Sequence, residues 1–149
     1  MRNKNKGFTL IEMLVVIAVI GLLAALILVG LSSFRTRGRD TRRIADLKEV
    51  QNGLEVYYMK NGTYPTGINT WTDLENALTS AGIGITSIPK DPTNGSPYQY
   101  VYGVDGTGQH YVIGATIEDP DANTSLLQND LDGTVYNVSC DDPVYCIGM

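Results

Sequence analysis

From Met13 to Phe34 the chain carries no charged residue, and this run of 22 positions limits its folding options more than any other feature. At 1.5 Å per residue it makes a helix about 33 Å long, against a hydrocarbon core of about 30 Å. Leu, Ile, Val and Ala fall on every side of that helix, so no polar face lets it lie along a membrane surface. About 100 further residues are too few to wrap such a helix as a core element. The run reads as a single membrane span. Arg2, Lys4 and Lys6 before it resemble the opening of a secretory signal. The apolar run is too long for an ordinary signal peptide, however, and Gly30, Ser32 and Ser33 make only a weak cleavage site.

Charge is divided unevenly along the 149 residues. Residues 1–49 carry a net charge of +5 and residues 50–149 a net charge of −10, so a basic stem bears an acidic head. Nucleic acid is a poor partner for that head. Arg35, Arg37, Arg39, Arg42 and Arg43 follow the span directly and can anchor its end at lipid phosphates. Because they outnumber Arg2, Lys4 and Lys6, the positive-inside rule does not place the N-terminus in the cytoplasm. Glu12, at the head of the apolar run, is the other anomaly. A carboxylate at the centre of a span costs up to about 2.5 to 3.5 kcal/mol, less near the interface, so Glu12 calls for a partner.

The string Gly7-Phe8-Thr9-Leu10-Ile11-Glu12, continuing as MLVVIAVIGLLAA, resembles the class III leader junction of type IV pilins and type II secretion pseudopilins from Lys6 to about Phe34. The resemblance implies that prepilin peptidase cuts after Gly7 and methylates Phe8, leaving a mature chain of 142 residues. It implies that Phe8 and Glu12 act in subunit assembly, Glu12 meeting the terminal amine of a neighbouring copy. Opposite charges in a low-dielectric helix bundle make that pairing physically sensible; the plainer alternative is that Glu12 snorkels to the headgroups. The mid-span proline of many pilins is absent, with Val29 and Gly30 near its place, so local melting would start at Gly21, Gly30 or Gly38. The leader has to face the cytoplasmic peptidase, which favours an inner-membrane protein with its N-terminus inside and its head outside, later part of a cell-surface or periplasmic filament. Implied partners are copies of the chain itself, related minor pilins, prepilin peptidase, an assembly ATPase, an inner-membrane platform protein and membrane lipid. In a filament the arginines could also meet acidic residues of adjacent subunits.

Beyond the arginines, Ile44, Leu47, Val50, Leu54, Tyr57 and Tyr58 recur at steps of three and four, the stripe of an amphipathic helix. The pattern predicts a helix from Phe8 to Lys60, stopped by Asn61-Gly62. Four segments follow: a leader over 1–7, a membrane and polymerisation helix over 8–34, an amphipathic helix packed on the head over 35–61, and the head itself over 62–149. In the head the pattern predicts a short helix from Thr72 or Asp73 to Ala81, strands over 98–102 and 111–117 joined by a turn at 105–108, and a weaker third strand over 133–138. A helix followed by a small antiparallel sheet is an α+β, pilin-like pattern. NGTYPT and PKDPTNGSPYQYVYG resemble the head of the major pseudopilin of type II secretion.

Cys140 and Cys146 resemble a small version of the disulfide loop of type IV pilins, and two cysteines in an acidic tail suit an oxidising compartment. Asp119, Asp121, Asn123 and Asp130 imitate the acidic positions of a calcium loop, although Thr124 replaces its glycine and Asp130 its final Glu. Major pseudopilins bind calcium through acidic loops near the C-terminus; the simpler reading is a solvated acidic loop. No cofactor is required by anything else in the sequence. No Ser/His/Asp spacing, Cys–His pair or phosphate loop supports catalysis, so an enzyme is not expected. Asn-x-Ser/Thr strings at Asn61, Asn94, Asn123 and Asn137 are readily accidental in an Asn-rich loop protein and are assigned no function. The resulting reading is a structural subunit of a pilus-like filament or secretion pseudopilus. Its rival is a signal-anchored extracytoplasmic binding module, with or without calcium, that never polymerises.

Overall fold

A computed structural model of the chain describes residues 7–149, the side chains of residues 28–30 excepted. Arg2, Lys4 and Lys6, and with them the leader up to Gly7, lie outside the described residues. The chain forms two compact units, divided between Arg35 and Thr36. Helix α1, Leu10–Asn61, runs without interruption through 52 residues. In the first unit the described apolar side chains are exposed: Leu10 is 82% exposed, Leu26 68% and Phe34 72%, as is Phe8 just before the helix at 80%. No residue of the 18-residue window that qualifies α1 as a span is buried.

From Asp40 onward the same helix buries a face. Leu47, Val50 and Leu54 are fully or almost fully enclosed, while Ile44, Tyr57 and Tyr58 pack at the edge, as their spacing predicts. Gly62 ends the helix at φ +75, a conformation glycine adopts without strain, and its N–H donates to Tyr58 O at 2.8 Å. Helix α2, Trp71–Ser80, starts one or two residues earlier than its apolar pattern suggests, because Thr70 and Asp73 form a reciprocal capping box. Leu74 and Leu78 are its buried contacts, with Ala77 half-buried.

Strands β1 (Val101–Val104), β2 (Tyr111–Thr116) and β5 (Val144–Gly148) form an antiparallel sheet in the order β1-β2-β5. β2 lies in the centre, pairing Val101 with Gly114 on one side and Gly114 with Cys146 on the other. Its alternating side chains serve two cores. Tyr111, Ile113 and Ala115 join the helices, and Val112 joins Val138, Cys140 and Cys146. The strand expected over 98–102 begins at Val101, after a bridge between Gly95 and Tyr98. Between β2 and the tail, a 3-10 turn at Asp121–Asn123 leads into one helical turn, α3, Thr124–Leu127.

The third expected strand is instead a hairpin. β3 (Thr134–Val135) and β4 (Val138–Ser139) pair antiparallel around Tyr136 and Asn137, at φ +46 and +65. Both central residues have positive φ, as in a type I′ turn, which reverses the chain where an apolar run had read as one continuous strand. The hairpin packs closely on the sheet. A Cβ at Gly103 would stand 2.6 Å from the carbonyl of Tyr136, so no side chain fits between them. The unanticipated β5 is joined to the end of this hairpin by a disulfide between Cys140 and Cys146. Closing so small a loop stabilises the fold by about 2.4 kcal/mol on the chain-entropy estimate. Replacing both cysteines by alanine should therefore lower the unfolding free energy of the head by that order, read from urea denaturation followed by Trp71 fluorescence; an unchanged free energy would show that the hairpin and β5 hold without the bond.

Candidate functional site

The N-terminal junction is the first region of interest. Gly7, Phe8 and Thr9 precede the helix in non-helical chain, so the Gly7–Phe8 peptide bond lies outside any helical hydrogen-bonding. Helix α1 then begins with a reciprocal cap. Glu12 Oε2 accepts from the Thr9 amide at 2.7 Å and the Thr9 hydroxyl at 2.8 Å, and the Glu12 amide donates to Thr9 Oγ1 at 3.3 Å. Within one chain, Glu12 thus satisfies the start of its own helix. Phe8 and Glu12 stay exposed.

The second region belongs to the unit formed by residues 36–149. Arg43 is fully buried among three carboxylates: its Nε and Nη2 donate to Asp91 at 2.6 and 3.0 Å, and its Nη1 reaches Asp40 and Glu118, each at 2.7 Å. The Tyr98 ring lies 4.9 Å from the guanidinium carbon. Burial works against the charge of Arg43, but its bonds to Asp91, Glu118 and Asp40 outweigh this and hold it protonated. Asp40 accepts the amides of Glu118 and Asp119, both at 3.0 Å. Arg39 grips Glu118 with two nitrogens, and Arg37 meets Asp119 at 3.3 Å. The hydrogen bond from Arg39 is the main cause that pulls the Glu118 carboxyl down to about 2.

This network redistributes the four residues expected to bind calcium. Asp119 is held by Arg37 and Asp40, and its Oδ1 accepts the amide of Ala122 at 3.1 Å. Asn123 donates to Asp119 O at 2.8 Å and to Asp40 at 3.4 Å, and Asp121 is exposed. Asp130 stands apart with different neighbours. Among the described residues, the group of three acids whose carboxylate oxygens lie within 4.8 Å of one another is Asp130, Asp132 and Asp142. One oxygen of Asp130 accepts the Cys146 amide at 2.7 Å; the other is buried without a partner. Burial raises the Asp130 carboxyl pKa, and the charges of Asp132 and Asp142 push the same way.

The sequence reading missed Asp132 and Asp142, which lie in Asp-Leu-Asp and Asp-Asp pairs on either side of the hairpin. It also missed the buried role of Asp40 and Arg43. A signal for the latter existed, because both fall in register with the Leu47, Val50 and Leu54 stripe, where a charge needs a partner. The single histidine, His110, bonds Asp105 at 3.2 Å and joins neither cluster.

Comparison with known proteins agrees with the N-terminal geometry and the head. Residues 2–28 match the prokaryotic N-terminal methylation motif. Residues 34–132 match the family described as type II secretion system (T2SS), protein G. The chain belongs to the type II secretion system protein G family. It is 31% identical over 121 residues to the type II secretion system core protein G of Vibrio cholerae serotype O1, covering 76% of this chain and 82% of the relative. It is 33% identical over 127 residues to that of Pseudomonas aeruginosa, covering 76% and 86%. The type IV wide pilus major component PilA4 of Thermus thermophilus is 40% identical over 93 residues, covering 62% of this chain and 63% of its own. No solved structure gives a significant match. The family is one of structural pilin-like subunits, and the methylation motif indicates processing by prepilin peptidase.

The Glu118 pairing has a pH signature. Its folded pKa of about 2 lies below its ordinary value of 4.5, so its contribution is complete above the ordinary value and is lost as pH falls from there toward 2. Urea unfolding of the head across that range should show stability falling with pH. Glu118→Gln should flatten this part of the profile, and an unchanged slope would assign the acid sensitivity to other carboxylates.

Proposed function

We propose that this protein is an assembly subunit of a secretion pseudopilus or a related type IV filament, polymerising through residues 8–34 after cleavage between Gly7 and Phe8. The observation that carries this reading is the span itself: a helix whose apolar side chains find no cover among the described residues, opened by a non-helical Gly7-Phe8-Thr9 segment and a single carboxylate. Lipid covers those side chains while the subunit is stored, and neighbouring helices cover them in the filament. The N-terminus faces the cytoplasm and the head lies outside, where the Cys140–Cys146 disulfide persists. Other copies, minor pilins, the peptidase, the assembly ATPase and the platform protein are its partners. Its work is mechanical, and no catalytic step is assigned to it.

Glu12 sets the register. In the single chain its carboxylate is spent on Thr9. In the filament it turns to the terminal amine of Phe8 in a neighbouring copy, which neutralises both charges in a low-dielectric bundle. Glu12→Ala should leave membrane insertion and cleavage intact and reduce sheared filament at least tenfold by immunoblot. Wild-type filament yield would remove Glu12 from the assembly step. A chain still beginning at Met1 in cells that possess the peptidase would replace the filament reading with that of an anchored binding module.

Calcium is proposed at Asp130, Asp132 and Asp142, not at the set suggested by the 119–130 spacing. The buried, partnerless oxygen of Asp130 beside two further carboxylates suits a hard, oxygen-seeking cation. The ion would offset two of the three negative charges and tie residues 130–132 to Asp142. In the purified full-length protein, millimolar calcium should raise the melting temperature by several degrees, an effect that Asp130→Asn should abolish. An equal calcium response in that variant would rule the cluster out.

A further inference from the structure

The four Asn-x-Ser/Thr strings are not equivalent once folded. They occur among ten asparagines, in a chain with 21 Ser and Thr in 149 residues, where composition alone gives about one such acceptor string. Asn61 has its amide nitrogen committed to Tyr57 O at 2.9 Å. Asn123 has its own committed to Asp119 O and Asp40. Asn94 is exposed, but Pro97 directly follows Ser96 and restricts the backbone of that string. Asn137 differs from all three. It is exposed at the tip of the β3–β4 hairpin, its amide makes no hydrogen bond among the described residues, and Ser139 two positions on is exposed with one long contact, 3.4 Å to Asp141.

A second observation points to the same place. Asn137 and Ser139 border a cavity of 760 Å³ that also draws on Asn69, Thr70, Asn94 and Gln99. Its two charged residues are already paired, Lys90 with Glu75 at 3.0 Å and Asp91 with Arg43 at 2.6 Å. What remains is a mixed lining, in which neutral amides and hydroxyls alternate with apolar and aromatic side chains such as Trp71, Val101 and Val144; it can hydrogen-bond an uncharged polyhydroxylated ligand and pack against its C–H faces without stranding a charge.

We propose that Asn137 is an N-linked glycan acceptor and that the sugars nearest the asparagine seat in this adjoining cavity. The proposal rests on the extracytoplasmic placement of the head, where lipid-linked oligosaccharide donors are used. A membrane oligosaccharyltransferase would supply the catalysis and a polyprenyl-diphosphate oligosaccharide the glycan. A bond forms between Asn137 Nδ2 and the anomeric carbon as the bond from that carbon to the diphosphate oxygen breaks. The lipid diphosphate leaves with the electron pair, and one amide proton passes to a base of the transferase.

The test is peptide mapping by mass spectrometry of the full-length protein from the membranes of its native host, beside variants expressed in the same host. The expected result is a glycan mass on the peptide bearing Asn137, absent in both Asn137→Gln and Ser139→Ala. Glutamine at φ +65 strains the hairpin, whereas Ser139→Ala keeps the turn residue and removes only the acceptor string, so the second variant guards against loss by misfolding. An unmodified Asn137 would overturn the proposal. So would a glycan confined to Asn61, Asn94 or Asn123, or one that survives in Ser139→Ala. The N-terminal peptide is read in the same map: a chain starting at methylated Phe8 with bare Asn137 sinks the glycan alone, and a chain starting at Met1 sinks the processing reading alone.

Discussion

In the unit formed by residues 36–149, one buried cation ties the helix to the two loops that pack on it, at 91–94 and 118–119. Arg43 leaves the helix at a position where a leucine would fit the stripe and meets carboxylates from the helix itself, from the 91–94 turn and from the segment just after β2. A lone buried charge would be prohibitive. Three acids and a tyrosine ring make it tolerable, and the desolvation of all of them makes the arrangement all-or-none. Opening it on one side would strand the others, at a cost of about 3 to 5 kcal/mol for a broken buried pair. Asp40 extends the clamp to two backbone amides at 118 and 119, so it fixes chain direction as well as charge.

The arginine cluster therefore has a different use from the one its position suggests. Arg37, Arg39 and Arg43 are occupied by Asp119, Glu118 and Asp91, and Arg42 leans on Asp46 at 3.6 Å. What reads in sequence as a membrane-anchoring run is spent largely inside the chain. Charge imbalance between stem and head is the consequence of a fold that pairs them. The residual acidity gathers near the C-terminus, where Asp130, Asp132 and Asp142 form no ion pair among the described residues.

Much of the fold was legible because its signals are local. The span, the Leu47-Val50-Leu54 stripe, the glycine stop at 62 and the strand over Tyr111–Thr116 each follow from periodicity or from one residue type. The misreadings are non-local. Nothing near Val144–Gly148 announces a strand whose partner lies some thirty residues earlier, and its cysteine suggests only a small disulfide loop. The hairpin at Tyr136-Asn137 was hidden because tyrosine rarely supplies a positive φ, so its turn lacks the expected glycine. For the acidic positions, spacing in sequence gave way to competition: the Asp119 carboxylate is taken by Arg37 and its amide by Asp40, and the Asn123 amide by Asp40 and the Asp119 carbonyl.

The contact between the hairpin and the sheet joins backbone to backbone, with Gly103 directly beneath the Tyr136 carbonyl. At Gly103 this seam admits no substitution, since even the smallest side chain collides with the Tyr136 carbonyl and the flanking Val138 and Val112 side chains. Room for substitution lies outward instead, at the exposed hairpin tip and the neighbouring turns. The exposed chemistry of the head can change freely while the join beneath it stays fixed.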